Sequence, residues 1–181
     1  MLLLSRNHKP IWISPKTCIF QDFIEALDGN DNGISQYPTD LEPAYRDSTS
    51  LPSRVGAFNP WWNQSVTEAD VDARFEQASE LAGSELRSKL LYTANAWLPA
   101  RQIVKSAFEK RSEVHPSGRV IALERSCPWK EHLLDLEQEK ALTNDSNILY
   151  VLYPDESNNW RIQCVPVKPE GFENRKSLPE K

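Results

Sequence analysis

The sequence predicts an α+β fold in which helices come first and a small antiparallel sheet with one crossing helix follows. Apolar residues recur at helical spacing in the first two thirds of the chain, most clearly between Val71 and Leu90. After a turn at residues 115–118 the pattern changes. Runs rich in β-branched and aromatic residues then predict three strands, at 119–123, 148–153 and 160–167. Helices and strands are therefore largely segregated along the chain, which is typical of an α+β domain.

Composition limits the class of protein. The 181 residues suffice for one domain or two small ones, and 39% hydrophobic with 26% charged residues indicates a globular chain. The formal net charge of −5 means that any RNA or DNA contact would need a local basic groove. Three scattered cysteines without zinc spacing favour a reduced, intracellular protein. No apolar run is long enough to span a bilayer, so we expect no membrane partner.

The N-terminal part predicts one short helix and a long loop. An apolar stripe at helical spacing begins at Ile19, and the helix should end near Asp28 and Gly29, because glycine tolerates the left-handed C-terminal position. Residues 35–66 contain four prolines and many Ser, Thr and Asp residues, which predicts a loop. Within it, the Trp61–Trp62 pair could anchor the loop onto a core or form a platform for base stacking.

Three later helices follow from capping signals and apolar stripes. A near capping box at residues 67–70 should start a helix that runs to about Ala94. The next helix should have Pro99 in its first turn, and a third should follow Cys127. The core-facing residues expected from these patterns are Ile103, Val104, Ala107 and Phe108, then Trp129, Leu133 and Leu136, and in the last strand Ile162, Cys164 and Trp160. The tail after Pro169 should be frayed.

The chemistry-bearing residues form no complete catalytic motif. Asp28 and Asp31 lie in a tight Asn/Gly-rich stretch, and carboxylates in such a turn can bind a hard divalent cation. The competing interpretation is that Asp28 caps the helix and Asp31 makes an Asx-turn. The sequence contains no Gly-x-Ser-x-Gly, no Walker lysine and no histidine pair at metal spacing. We therefore assign no catalytic residue.

Four basic or imidazole side chains are candidates for substrate contacts. Arg101, with Lys105 one turn later, could contact a phosphate or simply form a solvated helix face. Lys130 and His132 would place a cation and an imidazole at a helix start, where solvent exposure is the default expectation. Arg161 adds a further cation on the last strand.

Five segments resemble, in order, a family of known enzymes, the melanocyte-proliferating-gene (Myg) family of metal-dependent exonucleases, which is related to DHH phosphoesterases. These segments are Glu-Ala-Leu-Asp-Gly-Asn-Asp-Asn-Gly-Ile-Ser-Gln (25–36), Trp-Leu-Pro-Ala-Arg (97–101), Cys-Pro-Trp-Lys-Glu-His-Leu (127–133), Trp-Arg-Ile-Gln-Cys-Val-Pro (160–166) and Phe-Glu-Asn-Arg-Lys-Ser-Leu-Pro (172–179). The match covers about residue 18 to the end.

This resemblance implies a 3′→5′ RNA exonuclease of the nucleus and mitochondrion that uses a divalent metal, manganese. It implies that residues 1–66 are the remnant of a DHH-like catalytic domain and residues 67–181 an incomplete substrate-binding α+β domain. Of the family's metal-binding motifs only the last aspartate has a counterpart, Asp31, with Asp28 as second choice. The chain contains no Asp-His-His segment.

Because the other metal-binding motifs are absent, we expect a truncated DHH-phosphoesterase-like protein that has no nuclease activity by itself. The alternatives are a non-catalytic remnant that binds RNA or protein through Arg101, Lys130 and Arg161, and a gene product that cannot complete its core. The sequence leaves the oligomeric state open.

Overall fold

A computed structural model describes residues 19–35, 47–143, 145–168 and 171–179. The chain divides between Thr93 and Ala94 into two units, whereas the family resemblance places a domain boundary after residue 66. In the N-terminal unit a π-helical segment, Phe20–Ile24, continues into α1 (Glu25–Asp31), followed by α2 (Leu51–Gly56) and α3 (Glu68–Tyr92). A second π-helical segment, Thr93–Trp97, spans the division. Then come α4 (Leu98–Glu109), α5 (Arg111–Val114), β1 (Val120–Ala122), α6 (Lys130–Glu139), β2 (Tyr150–Pro154) and β3 (Trp160–Cys164).

Helix α1 extends past its predicted end. It passes through Gly29 and ends at Asp31, so Asp31 is the last helical residue and not part of a turn. The left-handed residue is Gly33, at φ +64°. Ile34 N–H donates to the Gly29 carbonyl at 2.8 Å and Gly33 N–H to the Asn30 carbonyl at 3.1 Å, which is the Schellman pattern. The predicted stop at Gly29 is wrong because the second Gly of the segment provides this cap.

The predicted start of α3 is confirmed. Thr67 Oγ1 accepts from Asp70 N–H, and the Asp70 carboxylate accepts from Thr67 N–H at 2.8 Å, a reciprocal capping box. The predicted loop before it is interrupted by α2, which has Pro52 in its first turn. The expectation that the tryptophan pair packs onto a core is wrong, because Trp61 and Trp62 are 70% and 96% exposed. None of the side chains of α3 is fully buried.

The sheet is mixed and not antiparallel as predicted. Its strand order is β1-β2-β3, with β1 parallel to β2 and β2 antiparallel to β3. Helix α6 lies between β1 and β2 in sequence, and a helical crossover returns the chain to pair in parallel, whereas the short β2–β3 connection makes a hairpin. The sequence predicted the crossing helix between the first two strands, but it did not show that these two strands pair in parallel.

One face of the sheet packs on helices α4 and α6. Ile121 and Val151 are fully buried there, together with Val104, Phe108, Leu133 and other residues of a single core cluster. Trp129 and Leu136 also belong to this cluster, which confirms most of the predicted apolar stripes. Burial of these side chains is the main stabilising contribution to this unit.

The other face of the sheet, called the open face below, carries three cross-strand rows: Val120–Tyr150–Cys164, Ala122–Leu152–Ile162, and Pro154–Trp160. All eight side chains keep some solvent exposure. Trp160 is 66% and Ile162 47% exposed, and Cys164 lies on the same face, so the prediction that these three residues face the core is wrong. The register explains the error, since it pairs them with Pro154, Leu152 and Tyr150, which alternate with the buried Val151.

The described part of the C-terminal tail is ordered against the sheet and is not frayed as predicted. Asn174 forms a β-bridge with Pro166, and Arg175 N–H donates to the Val165 carbonyl at 2.9 Å. The Tyr150 hydroxyl donates to the Ser177 carbonyl at 3.1 Å. Residues 171–179 therefore belong to the C-terminal unit.

No helix in the described ranges has the length and apolarity to cross a membrane.

Candidate functional site

Polar side chains of the C-terminal unit concentrate where α4 packs against α6. The cluster, called the α4–α6 junction below, consists of Trp97, Arg101, Glu131, His132, Asp135 and Glu139. Trp97 and Arg101 come from the start of α4, and the other four are spaced along α6 at intervals that keep them on its α4-facing side. Four of the five segments that carry the family resemblance contribute to this unit, and two of them, 97–101 and 127–133, meet here.

His132 is buried in the junction, so its expected exposure is wrong. The Nε2 atom lies 2.7 Å from the Trp97 carbonyl, and because a carbonyl only accepts, Nε2 carries the proton. The imidazole also contacts the Trp97 ring, with centroids 4.3 Å apart. Burial lowers the His132 pKa, with the nearby Arg101 charge adding to this, while the hydrogen bond to Trp97 opposes it. His132 is therefore a neutral group that fixes the start of α4 against α6.

Arg101 is held by two carboxylates. Its guanidinium nitrogens lie 2.6 Å from Asp135 Oδ2 and 2.7 Å from Glu139 Oε1. Its side chain is 19% exposed and that of Asp135 only 5%. Trp97 Nε1 donates to Glu131 at 2.8 Å at the other end of the junction. The cation predicted to meet a phosphate is thus engaged in an internal, largely desolvated charge network.

The other two predicted substrate-contacting cations are more accessible. Lys130 is the first residue of α6 and is partly exposed. Arg161 lies on β3, outside the junction, with its side chain 62% exposed. Its guanidinium contacts Asp155 at 2.6 Å, and Asp155 also accepts from the backbone of Asn159 and Ser157. These hydrogen bonds, the one from Asn159 first, lower the Asp155 pKa.

The two predicted metal ligands lie on α1, three residues apart. Asp28 and Asp31 are both exposed, and Asp28 Oδ1 accepts from Asn32 Nδ2 at 3.1 Å. Manganese prefers about six oxygen-rich ligands, which two carboxylates cannot supply. Within the described ranges, no three His, Cys, Asp or Glu side chains are grouped to hold a metal ion. The residues present therefore do not fit a complete dinuclear centre.

Glu137 and Arg175 form a buried ion pair that was not predicted from the sequence. Both Arg175 terminal nitrogens lie 2.8 Å from Glu137 oxygens, and Glu137 also accepts from Ile148 N–H at 2.7 Å. The signal was present, since Glu137 follows Leu133 by four residues and so lies on the apolar stripe of α6. A carboxylate at that position needs a cation from elsewhere in the chain.

Cys127 is not suited to nucleophilic chemistry. Burial raises the pKa of its thiol to about 11. The Arg125 charge lowers this pKa and the Glu124 charge raises it, and both effects are smaller than that of burial. The thiolate, which is the reactive form, is therefore scarce at neutral pH.

We expect the stability of the C-terminal unit to fall when the pH drops below about 6.5, the usual pKa of histidine. Because the His132 pKa is lowered in the folded state, the unfolded chain binds the proton first. The contribution is fully present above pH 6.5 and is lost as the pH falls towards the folded pKa. Urea unfolding at pH 7.5 and 5.5 measures this loss as a difference in the free energy of unfolding. His132→Gln should reduce that difference. If the difference is unchanged in His132→Gln, groups other than His132 cause the pH dependence.

Comparisons with known proteins identify the family. The family model MYG1_exonuc, described as uncharacterised protein family UPF0160, matches residues 12–181. The chain is 47% identical over 164 residues to MYG1 protein C27H6.8 of Caenorhabditis elegans, covering 89% of the chain and 47% of that protein. It is 41% identical over 163 residues to the human MYG1 exonuclease, covering 90% of the chain and 42% of that protein.

The chain thus spans about half the length of the curated relatives it matches. No solved structure matches it. The relation to DHH phosphoesterases stays a prediction. The family match, in contrast, extends over both structural units and includes the α4–α6 junction and the tail segment that pairs with Glu137. The chain belongs to the MYG1 exonuclease family.

Proposed function

We propose that this chain is part of a metal-dependent 3′→5′ exonuclease acting on RNA, and that it has no nuclease activity by itself. Family membership and the name of the human and bovine relatives, MYG1 exonuclease, support a nucleic-acid substrate. The choice of RNA, manganese, the 3′→5′ direction and a nuclear and mitochondrial location rest on the sequence resemblance.

The ligand count is the observation behind the proposed inactivity. A two-metal phosphoesterase clamps two ions about 4 Å apart with several carboxylate and imidazole ligands. The described part of this chain offers Asp28 and Asp31 on one exposed helix and no third grouped ligand. Asp31, the better match to the family motif, would then be one ligand of a centre completed by polypeptide outside the described residues.

The substrate contacts are better assigned to exposed than to buried cations. The Arg161 side chain is 62% exposed, and ion pairs accessible to solvent contribute little to stability, so a phosphate can replace the Asp155 carboxylate at low cost. Withdrawing Arg101 would break its 2.6 Å contact with Asp135, whose side chain is only 5% exposed, and losing an ion pair in a desolvated setting costs more. We therefore propose Lys130 and Arg161 as phosphate contacts, with Arg101 and His132 holding α4 against α6.

A segment exchange tests the proposed activity. This chain would replace the matched 163 residues of the human MYG1 exonuclease, and the chimera would be assayed with manganese on 5′-labelled single-stranded RNA and on DNA of the same sequence. We expect stepwise shortening from the 3′ end of the RNA. Asp31→Asn should reduce the rate about 100-fold or more. Glu25→Gln, which removes an exposed carboxylate from the same helix, is the matched control and should change the rate little.

The outcomes separate the proposals. Full activity of the Asp31→Asn chimera would remove Asp31 from the metal centre, and shortening of DNA alone would contradict the RNA assignment. Salt-dependent RNA binding without cleavage, at protein concentrations where the human enzyme is active, would favour the non-catalytic alternative. Manganese-dependent turnover by the isolated chain, abolished by Asp31→Ala, would contradict the proposed inactivity.

A further inference from the structure

The open face of the sheet is apolar without interruption. Its three rows contain only Val, Ala, Tyr, Leu, Pro, Cys, Ile and Trp, and no charged side chain is among them. Arg161, between Trp160 and Ile162 on β3, alternates to the other side and pairs with Asp155. Trp160 and Ile162 are the most exposed residues of this face, at 66% and 47%, and neighbouring apolar side chains exposed together mark an interaction site.

The two faces of the sheet differ in how they are covered. The sheet is mixed, with one parallel and one antiparallel strand pair. Here the core face is covered by α4 and α6, with Ile121 and Val151 fully buried. The same strands present Ala122 and Leu152 to the open face, where both remain partly exposed.

The dimensions of the face suit one helix. Three strands about 4.8 Å apart make a surface about 10 Å wide, and a helix with its side chains is about 10–12 Å across. The strands are three to five residues long, about 10–16 Å, which matches two to three helical turns. The absence of cations on the face disfavours a nucleic acid, whose binding depends on neutralising phosphates.

The greater length of the relatives points to a source for that helix. The relatives have about as much polypeptide again outside the matched segment, which is 42–49% of their length. We propose that an amphipathic helix from this additional polypeptide packs on the open face, with its apolar stripe against Leu152 and Ile162. The proposal rests on family membership and the geometry of the sheet and is independent of the proposed nuclease activity.

Thiol labelling tests the covering layer, because Cys164 lies on the open face and is partly exposed. Its alkylation rate, resolved by peptide mass spectrometry, would be compared between the isolated chain and the human chimera described above. We expect Cys164 to react at least about tenfold more slowly in the chimera. Phe172→Cys is the matched control, since Phe172 is fully exposed and lies outside the open face, and its thiol should react equally in both proteins.

Two variants make the result specific. Ile162→Asp, at an exposed position, should leave the isolated chain folded and restore Cys164 labelling in the chimera by placing a charge under the proposed helix. A photo-crosslinker on Ile162→Cys should capture residues of the human segment at intervals of three or four, the helical period. Crosslinks at alternate residues would indicate an added strand and contradict a helix.

Equal labelling of Cys164 in both proteins would overturn the proposal. Protection that increases with the concentration of the isolated chain would instead assign the face to a second copy. Protection of the isolated chain by single-stranded RNA would assign it to nucleic acid. Either result would contradict the proposed occupant.

Discussion

Replacing Glu137 by alanine should destabilise the C-terminal unit by about 3–5 kcal/mol, the range measured when one partner of a buried ion pair is removed. Glu137 is 4% exposed and accepts three hydrogen bonds, two from Arg175 and one from Ile148 N–H at 2.7 Å. Its loss leaves a guanidinium that is only 14% exposed without a counter-charge and a buried amide without an acceptor.

The same substitution should also release the tail. Arg175 links α6, the Ile148 carbonyl at 2.9 Å and the Val165 carbonyl through its own N–H. We therefore expect faster amide exchange across residues 171–177 in Glu137→Ala. Arg175→Met should release the tail in the same way, while leaving Glu137 with only the Ile148 N–H.

Urea unfolding measures both variants, and Gln138→Ala, the exposed neighbour on α6, is the matched control. The double variant Glu137→Met/Arg175→Met should lower the free energy of unfolding by less than the sum of the two single changes. Neither charge is then left alone in the interior. A cost for Glu137→Ala no larger than that of Gln138→Ala would show that the pair contributes nothing to stability.

Local capping chemistry was predictable from the sequence because it depends on neighbours along the chain. The Thr67–Asp70 box and the placement of Pro99 in the first turn of α4 are confirmed. Where two signals of the same kind lie close together, local patterns do not choose between them. Gly29 and Gly33 are both possible helix stops, and only the hydrogen bonds of Ile34 and Gly33 show which one is used.

Features that depend on pairing between distant segments were not predictable. The register of β3 decides that Trp160 and Ile162 lie on the open face, although their hydrophobicity alone suggests burial. Helix α6 lies between β1 and β2 in sequence, but the order of elements did not determine that these two strands run parallel. The sequence showed that a small sheet exists, but not which of its faces is covered.

The sequence identified residues of the candidate site, but it did not show what these residues do. Arg101 and His132 were identified from the sequence, and the structure brings both into the α4–α6 junction. Exposure was the default expectation for charged and imidazole side chains near a helix start, but their partners lie more than 30 residues away in sequence. Glu137 was overlooked because its partner, Arg175, belongs to a tail that appeared polar and unstructured.

Arg101→Ala should destabilise the C-terminal unit by about 2–3 kcal/mol, a typical cost for losing hydrogen bonds to charged groups in a largely desolvated setting. The change leaves Asp135, which is 5% exposed, beside Glu139 without the guanidinium that bridges them. Arg101→Lys should recover only part of the loss, because an ammonium cannot form the two-pronged contact of a guanidinium. Lys105→Ala, on an exposed position one turn later, is the matched control and should change stability by less than about 0.5 kcal/mol.

Salt separates this structural role from a role in phosphate binding. A partly buried pair is screened weakly, so the cost of Arg101→Ala in urea unfolding should be similar in 0.1 and 1 M NaCl. If Arg101 instead contacts a phosphate, the variant should keep its stability, bind RNA more weakly and lower the salt dependence of that binding by about one counterion. We expect the salt-independent loss of stability, because Arg101 contacts Asp135 at 2.6 Å and Glu139 at 2.7 Å. Weaker RNA binding with unchanged stability would mean that Arg101 leaves these carboxylates to bind the substrate.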